Sequence, residues 1–172
     1  MIDPGGVERD LHFQEYWVRR RAVDHVKAVR FEGVERARPA PGVLAAIAAA
    51  DEIVLCPSNP VVSIGPILAI PGVRDAVSAR RAAVTGVSGI VGGAPVAGMA
   101  DRLMPALGIE VSAAGVAEHY RDLVSAWLVD ERDRGLLPRI EALGIRGGAA
   151  GTIMVDDARA EAVARAALDL LR

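Results

Sequence analysis

The sequence contains few aromatic side chains and only one cysteine. Phe, Trp and Tyr together make up 3% of the 172 residues, although 52% of the residues are apolar. A core with so few aromatic rings must consist mainly of Ala, Val, Ile and Leu, as in parallel sheets that are covered by helices. The single cysteine, Cys56, excludes an internal disulfide. Sparse cysteine is typical of a reducing compartment, so we expect a cytoplasmic protein.

The chain also lacks an excess of charge of either sign. Twenty basic and 22 acidic side chains give a net charge of −2. Proteins that bind nucleic acids or membrane surfaces usually carry a clear basic excess, so we expect neither kind of partner. Two long uncharged runs, residues 53–73 and 82–100, are interrupted by prolines and glycines. Because a lipid-exposed segment must be regular, we expect neither run to span a membrane.

Short apolar runs alternate with helical patterns along the chain. This alternation predicts an α/β fold with a mostly parallel, Rossmann-like sheet and helices on both faces. No internal linker is long enough to separate domains, so we expect a single α/β domain over residues 1–172. The predicted strands are residues 53–56, 82–87 and 127–129, with an edge strand at 23–33, and the clearest predicted helices are residues 42–50, 73–79 and 156–172.

The stretch most indicative of function is residues 56–68, which follow a predicted buried strand and are rich in proline and polar residues. We expect Ser63 to cap a short helix over residues 66–69. A second glycine-rich loop, residues 88–93, follows the next predicted strand. Both loops would open at the same edge of a parallel sheet, where backbone N–H groups can bind anions. Neither matches a P-loop or a dinucleotide fingerprint, so phosphate binding and simple turn formation both remain open.

Candidate catalytic groups are scarce. Cys56 ends a predicted strand, where a small apolar filler is the more common role. The three histidines lie far apart in sequence and show no metal-ligand spacing. Residues 130–133, Asp-Glu-Arg-Asp, are better explained by helix capping and a solvated surface than by metal or base chemistry. The basic cluster at residues 19–21 is either a solvated face or a clamp for phosphate or carboxylate.

Residues 51–74, which include Cys-Pro-Ser-Asn-Pro-Val-Val-Ser-Ile-Gly-Pro, resemble the signature of the 2-phospho-L-lactate transferases. These enzymes act in the biosynthesis of coenzyme F-420. Four further stretches resemble the same family in the same order, namely residues 13–19, 38–43, 90–93 with 100–101, and 116–123. The resemblance covers nearly the whole chain but only the C-terminal part of the family's chain. We therefore expect the family's N-terminal half to be absent.

The resemblance implies a transferase that moves a 2-phospholactyl or phosphoenolpyruvyl group. The donor would be a guanosine diphosphate derivative, the acceptor would be the deazaflavin precursor Fo, and GMP would be released. It also implies Mg²⁺ as cofactor, with its ligands in the missing N-terminal half. A sheet edge and an apolar face left uncovered by the missing half would favour association, so we expect a homodimer. A non-catalytic or truncated nucleotide-binding module is the alternative. The paralogous gluconeogenesis-factor-like proteins, which bind a UDP-sugar, fit less well because their loop resembles Gly-Pro-Gly-Ser-Leu.

The same resemblance selects candidate substrate-binding residues, while the catalytic residues remain unknown and no metal ligand is assigned. The expected contacts are Ser58, Asn59, Ser63 and Gly65 at the donor diphosphate, Gly92 and Gly93 as a second backbone cradle, and Gln14, Arg19 and Arg20 near the substrates. The family's last strand is normally a run of valines. Residues 145–152 replace it here, and we expect their glycines to weaken that strand.

Overall fold

The computed structural model describes all 172 residues and is built around a four-stranded parallel sheet. The strands are β1 (Ile53–Leu55), β2 (Val84–Val87), β3 (Ile90–Val91), β4 (Ala94–Pro95), β5 (Ala126–Asp130) and β6 (Arg146–Ala150). The sheet has the order β1-β2-β5-β6 with every neighbouring pair parallel, whereas β3 and β4 form a separate antiparallel hairpin. The predicted α/β class with a mostly parallel sheet is therefore confirmed.

Helices connect the strands, as the alternating pattern predicts. They are α1 (Val43–Ala49), α2 (Gly65–Ala69), α3 (Val73–Ser78), α4 (Ala100–Leu103), α5 (Ala113–His119), α6 (Leu137–Glu141) and α7 (Asp157–Asp169). Single π-helical turns occur at Glu15–Arg19 and Pro60–Ile64, and 3-10 turns at Val34–Arg36, Arg81–Ala83, Met104–Leu107 and Glu131–Leu136. None of these helices has the length and apolar character that would let it cross a membrane.

Apolar side chains cover both faces of the sheet. On one face Trp127 and Val129 of β5 belong to the large core cluster that also contains Ile140 of α6. On the other face Leu128 packs in a smaller cluster with Val163 of α7. Successive residues of β5 thus point to opposite faces, as the pleat of a strand requires. The prediction of helices on both faces is confirmed.

The centre of the sheet depends on a glycine beneath an indole ring. Gly86 of β2 is paired with Trp127 of the neighbouring strand β5. A Cβ atom built on Gly86 would lie 2.1 Å from Cζ3 of Trp127, far inside van der Waals contact. The indole therefore occupies the space that a side chain at position 86 would need.

The last strand forms although it contains two glycines. Strand β6 pairs with β5 in continuous register from Arg146 to Ala150. Cβ atoms built on Gly147 and Gly148 would lie 2.8 Å from Cδ2 of Leu137 and 2.6 Å from Cδ2 of Leu170. The space that side chains at positions 147 and 148 would need is thus occupied by one leucine on each face of the sheet.

The edge strand predicted at residues 23–33 is also wrong. The alternating burial is present, since Asp24 and Val26 are buried while His25 is exposed. However, His25 pairs only with Ile2, through two backbone hydrogen bonds of 2.7 and 2.8 Å, and the segment does not join the sheet. An alternating pattern of apolar and polar residues indicates that one side of an extended segment is buried. It does not show that a neighbouring strand is present.

Substitution of Gly86 by Ala should destabilise the protein strongly. Because the new methyl group would overlap the Trp127 ring, we expect the free energy of unfolding to fall by about 3 kcal/mol. Urea unfolding followed by circular dichroism measures this change. Gly135→Ala is the matched control, since nothing lies within 4 Å of a Cβ at that position, and it should change stability by less than about 1 kcal/mol. Equal stabilities of the two variants would contradict this account of the sheet centre.

Candidate functional site

A cavity of about 700 Å³ lies at the carboxyl edge of the parallel sheet. The segments that follow three of the strands line it: residues 56–60 after β1, residues 88–90 after β2 and residues 152–154 after β6. Strand ends gather at one edge because the four strands are parallel, and ligands of open α/β sheets bind at this edge. The cavity therefore lies where the sequence predicts a binding site.

The loop after β1 is fixed by Asn59. Its Oδ1 atom accepts hydrogen bonds from the backbone N–H groups of Val61 and Val62, at 2.9 and 3.2 Å. This side chain caps a helical segment that begins at Pro60, and proline is favoured at the first helical position. The helix thus starts six residues earlier than predicted. The expectation that Ser63 is the cap is wrong, because Ser63 lies inside the helical turn and its side chain lines the cavity.

The loops after β1 and β2 touch each other at Gly89. A Cβ atom on Gly89 would lie only 3.1 Å from the carbonyl oxygen of Pro57. Next to it, the buried Ser88 hydroxyl donates to the carbonyl oxygen of Ile90 at 2.8 Å and accepts from the Ile90 N–H at 3.1 Å. The Ser88 side chain thus stabilises its own turn.

Gly92 and Gly93 form the turn of the β3–β4 hairpin, with φ of 60° and 80°. Both glycines are exposed, and neither lines the cavity. The N–H of Gly92 donates to Oδ2 of the buried Asp133 at 2.9 Å. One amide of the predicted backbone cradle therefore already has an acceptor within the protein.

The predicted residues near the N-terminus separate into two groups. Gln14 lines the cavity, whereas Arg19 and Arg20 do not. Arg20 is paired with Asp24, and its Nε donates to Oδ2 of Asp24 at 2.7 Å. The hydrogen bond from Arg20 lowers the pKa of the Asp24 carboxyl below its usual value. Arg20 therefore holds a buried acid in its charged form.

The structure thus brings four of the nine predicted binding residues to one cavity: Gln14, Ser58, Asn59 and Ser63. The other five lie outside its lining. Among them, Gly65 lies within the helical segment and contacts Phe31. A Cβ atom built on Gly65 would lie 3.2 Å from Cζ of the Phe31 ring. A role in binding remains a prediction for all nine.

Four aromatic side chains line the same cavity, in a chain that has only six: Phe13, Trp17, Tyr120 and Trp127. The ring centroids of Phe13 and Trp17 are 5.6 Å apart, and those of Tyr120 and Trp127 are 5.9 Å apart. The aromatic-rich stretch near residue 13 is visible in the sequence. Its meeting with Tyr120 and Trp127 depends on long-range packing and could not be found there.

Two of these rings carry polar atoms without a protein partner. Tyr120 and Trp127 are almost fully buried, and neither Oη of Tyr120 nor Nε1 of Trp127 forms a hydrogen bond. Burial raises the pKa of the Tyr120 hydroxyl, so this group stays protonated. The aromatic wall thus contains two neutral hydrogen-bond donors.

No group of three or more His, Cys, Asp or Glu side chains is arranged to hold a metal ion. Asp130 caps the 3-10 turn Glu131–Leu136 by accepting from the Arg132 N–H, so the capping predicted for this stretch is confirmed at Asp130. Asp130 and Asp133 are both buried, not solvated, and they also accept from the N–H groups of Thr152 and Gly92. The residues of this chain therefore do not form a protein-only magnesium site.

Comparison with known proteins places the chain in a defined group. Residues 6–164 match the family described as 2-phospho-L-lactate transferase CofD. The chain is 50% identical to a phosphoenolpyruvate transferase of Streptomyces griseus, over 98% of this chain and 54% of that protein. It is 42% identical to a 2-phospho-L-lactate transferase of Methanosarcina mazei, over 90% of this chain and 50% of that protein. The chain spans about half the length of the curated relatives it matches.

Loss of the cap at residue 59 should destabilise the loop after β1. Asn59→Ala removes the acceptor of two backbone N–H groups, so we expect the free energy of unfolding to fall by about 1 kcal/mol. Ser63→Ala should change it by less than about 0.5 kcal/mol, because Ser63 caps nothing. Urea unfolding of both variants checks the assignment, and a larger loss for Ser63→Ala would reverse it.

The Arg20–Asp24 pair should make stability depend on pH in the acid range. The pKa of Asp24 is lowered in the folded protein, so its contribution is present above the unfolded-state pKa of about 4 and is lost as the pH falls through the folded-state value. The stability difference between wild type and Asp24→Asn should therefore shrink as the pH drops below about 4. Unfolding at a series of pH values measures it. Asp122→Asn, which removes an exposed pair with Arg74, is the control, and a difference that does not shrink in acid would contradict the pairing.

Proposed function

The chain belongs to the 2-phospho-L-lactate transferase CofD family, and we propose that it binds the substrates of that reaction in the cavity at the carboxyl edge of the sheet. The donor is a guanosine diphosphate derivative of lactate or enolpyruvate. The acceptor is the hydroxyl of Fo, the deazaflavin precursor of coenzyme F-420. The observation that carries the proposal is that one cavity is lined by two kinds of side chain. We call the polar side chains Ser58, Asn59 and Ser63 the polar floor, and the four aromatic side chains the aromatic wall.

The polar floor supports binding of a diphosphate. Ser58 and Ser63 line the cavity, and neither hydroxyl forms a hydrogen bond within the protein. Asn59 uses its oxygen as a helix cap, which leaves its amide nitrogen as a donor. Three uncommitted donors on one short loop suit the oxygens of a diphosphate, because hydrogen bonds to charged acceptors are stronger than those between neutral groups.

The aromatic wall supports binding of a flat ring system. Aromatic residues are only 3% of the sequence, yet most of them line this cavity. Stacked or tilted contacts with aromatic side chains favour flat, fused rings such as a deazaflavin. The Oη atom of Tyr120 and the Nε1 atom of Trp127 are buried and have no hydrogen-bond partner within the protein.

The transfer itself would depend on positioning. The acceptor hydroxyl attacks the phosphorus that carries the three-carbon acid, the bond from this phosphorus to the oxygen of GMP breaks, and the hydroxyl proton is released. No nucleophilic side chain is needed, and the cavity contributes by aligning the two substrates. The family implies magnesium, but this chain offers no three-ligand site, so we assign no step to the metal.

Donor binding can be tested by calorimetric titration of the protein with GDP in the presence of magnesium. Ser58→Ala should weaken binding about tenfold through loss of a hydrogen bond to a charged group. Asn59→Asp should weaken it more, because it keeps the cap but adds a negative charge beside the diphosphate. Ser78→Ala is a matched control outside the cavity. No measurable heat at millimolar GDP would disprove nucleotide binding.

A second assay separates a transferase from a non-catalytic nucleotide-binding module. The protein is incubated with Fo and the guanosine diphosphate donor, and GMP release is followed over time. Release above the rate of a reaction without protein supports transfer by this chain. Binding of GDP without GMP release supports the module instead.

A further inference from the structure

One segment of the cavity wall is held by very few hydrogen bonds. Residues 151–155 connect β6 to α7 without regular structure, and Thr152, Ile153 and Met154 line the cavity. Met154 is 45% exposed and Val155 is 75% exposed, so burial of apolar side chains holds the end of this segment only weakly. Thr152, at the start of the segment, is buried, and its hydrogen bonds fix this end.

Both of these hydrogen bonds are accepted by one carboxylate. The backbone N–H and the hydroxyl of Thr152 both donate to Oδ2 of Asp130, at 3.0 and 3.1 Å. No other hydrogen bond reaches residues 151–155. Asp130 is the last residue of β5 and is paired in register with Ala150, the last residue of β6. The Asp130 carboxylate, which we call the anchor, thus lies where the sheet ends and the cavity wall begins.

Asp130 is suited to this role because it stays charged although it is buried. Burial alone raises the pKa of its carboxyl, but hydrogen bonds from the Thr152 and Arg132 backbone N–H groups and the Thr152 hydroxyl, with the charge of Arg132, outweigh burial and lower the pKa. An ionised acceptor forms shorter and stronger hydrogen bonds than a neutral one. The backbone N–H and the hydroxyl of Thr152 thus share one charged acceptor.

We propose that Asp130 is a positioning residue whose carboxylate sets the Thr152–Met154 wall against the flat ring of the acceptor. This inference rests on the proposed function, which assigns the acceptor to this cavity. Ile153 and Met154 are apolar and suit the ring, whereas the polar donors for the diphosphate lie on the loop after β1. Loss of the anchor should therefore weaken binding of the acceptor and leave GDP binding unchanged.

The test compares Asp130→Asn with Asp156→Asn in the full chain. An Asn at position 130 has one carbonyl oxygen in place of the two charged oxygens that accept bonds from Thr152 and Arg132. Asp156→Asn makes the same isosteric change at the other end of the segment, where Asn caps α7 as well as Asp does. For Asp130→Asn we expect about tenfold weaker binding of Fo, GDP affinity within about twofold of wild type, and about tenfold faster hydrogen exchange at the Thr152 amide. Asp156→Asn should match wild type in all three.

Variants of Thr152 provide an independent check. Thr152→Ser keeps both donors and should bind Fo like wild type, while Thr152→Val loses the hydroxyl and should bind it more weakly. If wild type binds Fo and Asp130→Asn binds it equally well, Asp130 is only structural and the inference is overturned. If wild type binds neither GDP nor Fo, the proposed function is wrong and the inference that rests on it is overturned with it.

Discussion

The contact between the Trp127 indole and the backbone of Gly86 is the one on which the rest of the structure depends. It joins the two central strands of the sheet, because Gly86 lies on β2 and Trp127 on β5. The same ring packs against Tyr120 at the end of α5 and forms part of the cavity wall. The close approach of one strand to the side chain of its neighbour thus links the core of the sheet to the candidate site.

Some polar groups around the cavity form hydrogen bonds within the protein, and others do not. The side chains of Asn59, Ser88 and Asp133 each accept a hydrogen bond from a backbone N–H group, and these bonds hold the loop after β1, the turn after β2 and the β3–β4 hairpin. The Ser58 and Ser63 hydroxyls remain free. A site whose loops are already fixed by internal hydrogen bonds loses less conformational entropy when a ligand binds, which favours affinity. The loop geometry is therefore pre-organised even though the chain covers about half of each compared relative.

The sequence predicts elements whose signals are local. Strands β1, β2 and β5 follow from short apolar runs, and α7 follows from its helical pattern of Ala, Val and Leu with acidic residues at its start. Other features depend on distant contacts that the sequence does not show. Leu137 and Leu170 occupy the space that side chains at positions 147 and 148 would need. The prediction for Ser63 failed for a different, local reason, because Asn59 followed by Pro60 is the cap and was overlooked. The sequence could not predict that Tyr120 and Trp127 join Phe13 and Trp17 in the aromatic wall, because Trp127 lies more than a hundred residues from Phe13.

The concentration of aromatic rings at the cavity has a spectroscopic consequence. The chain has two tryptophans, Trp17 and Trp127, and both line the cavity. Trp127 is buried while Trp17 is partly exposed, so the two indoles experience different polarity at the same site. All intrinsic tryptophan emission of this protein therefore originates at the cavity wall, and the unlabelled chain carries its own optical reporter of whatever occupies the site.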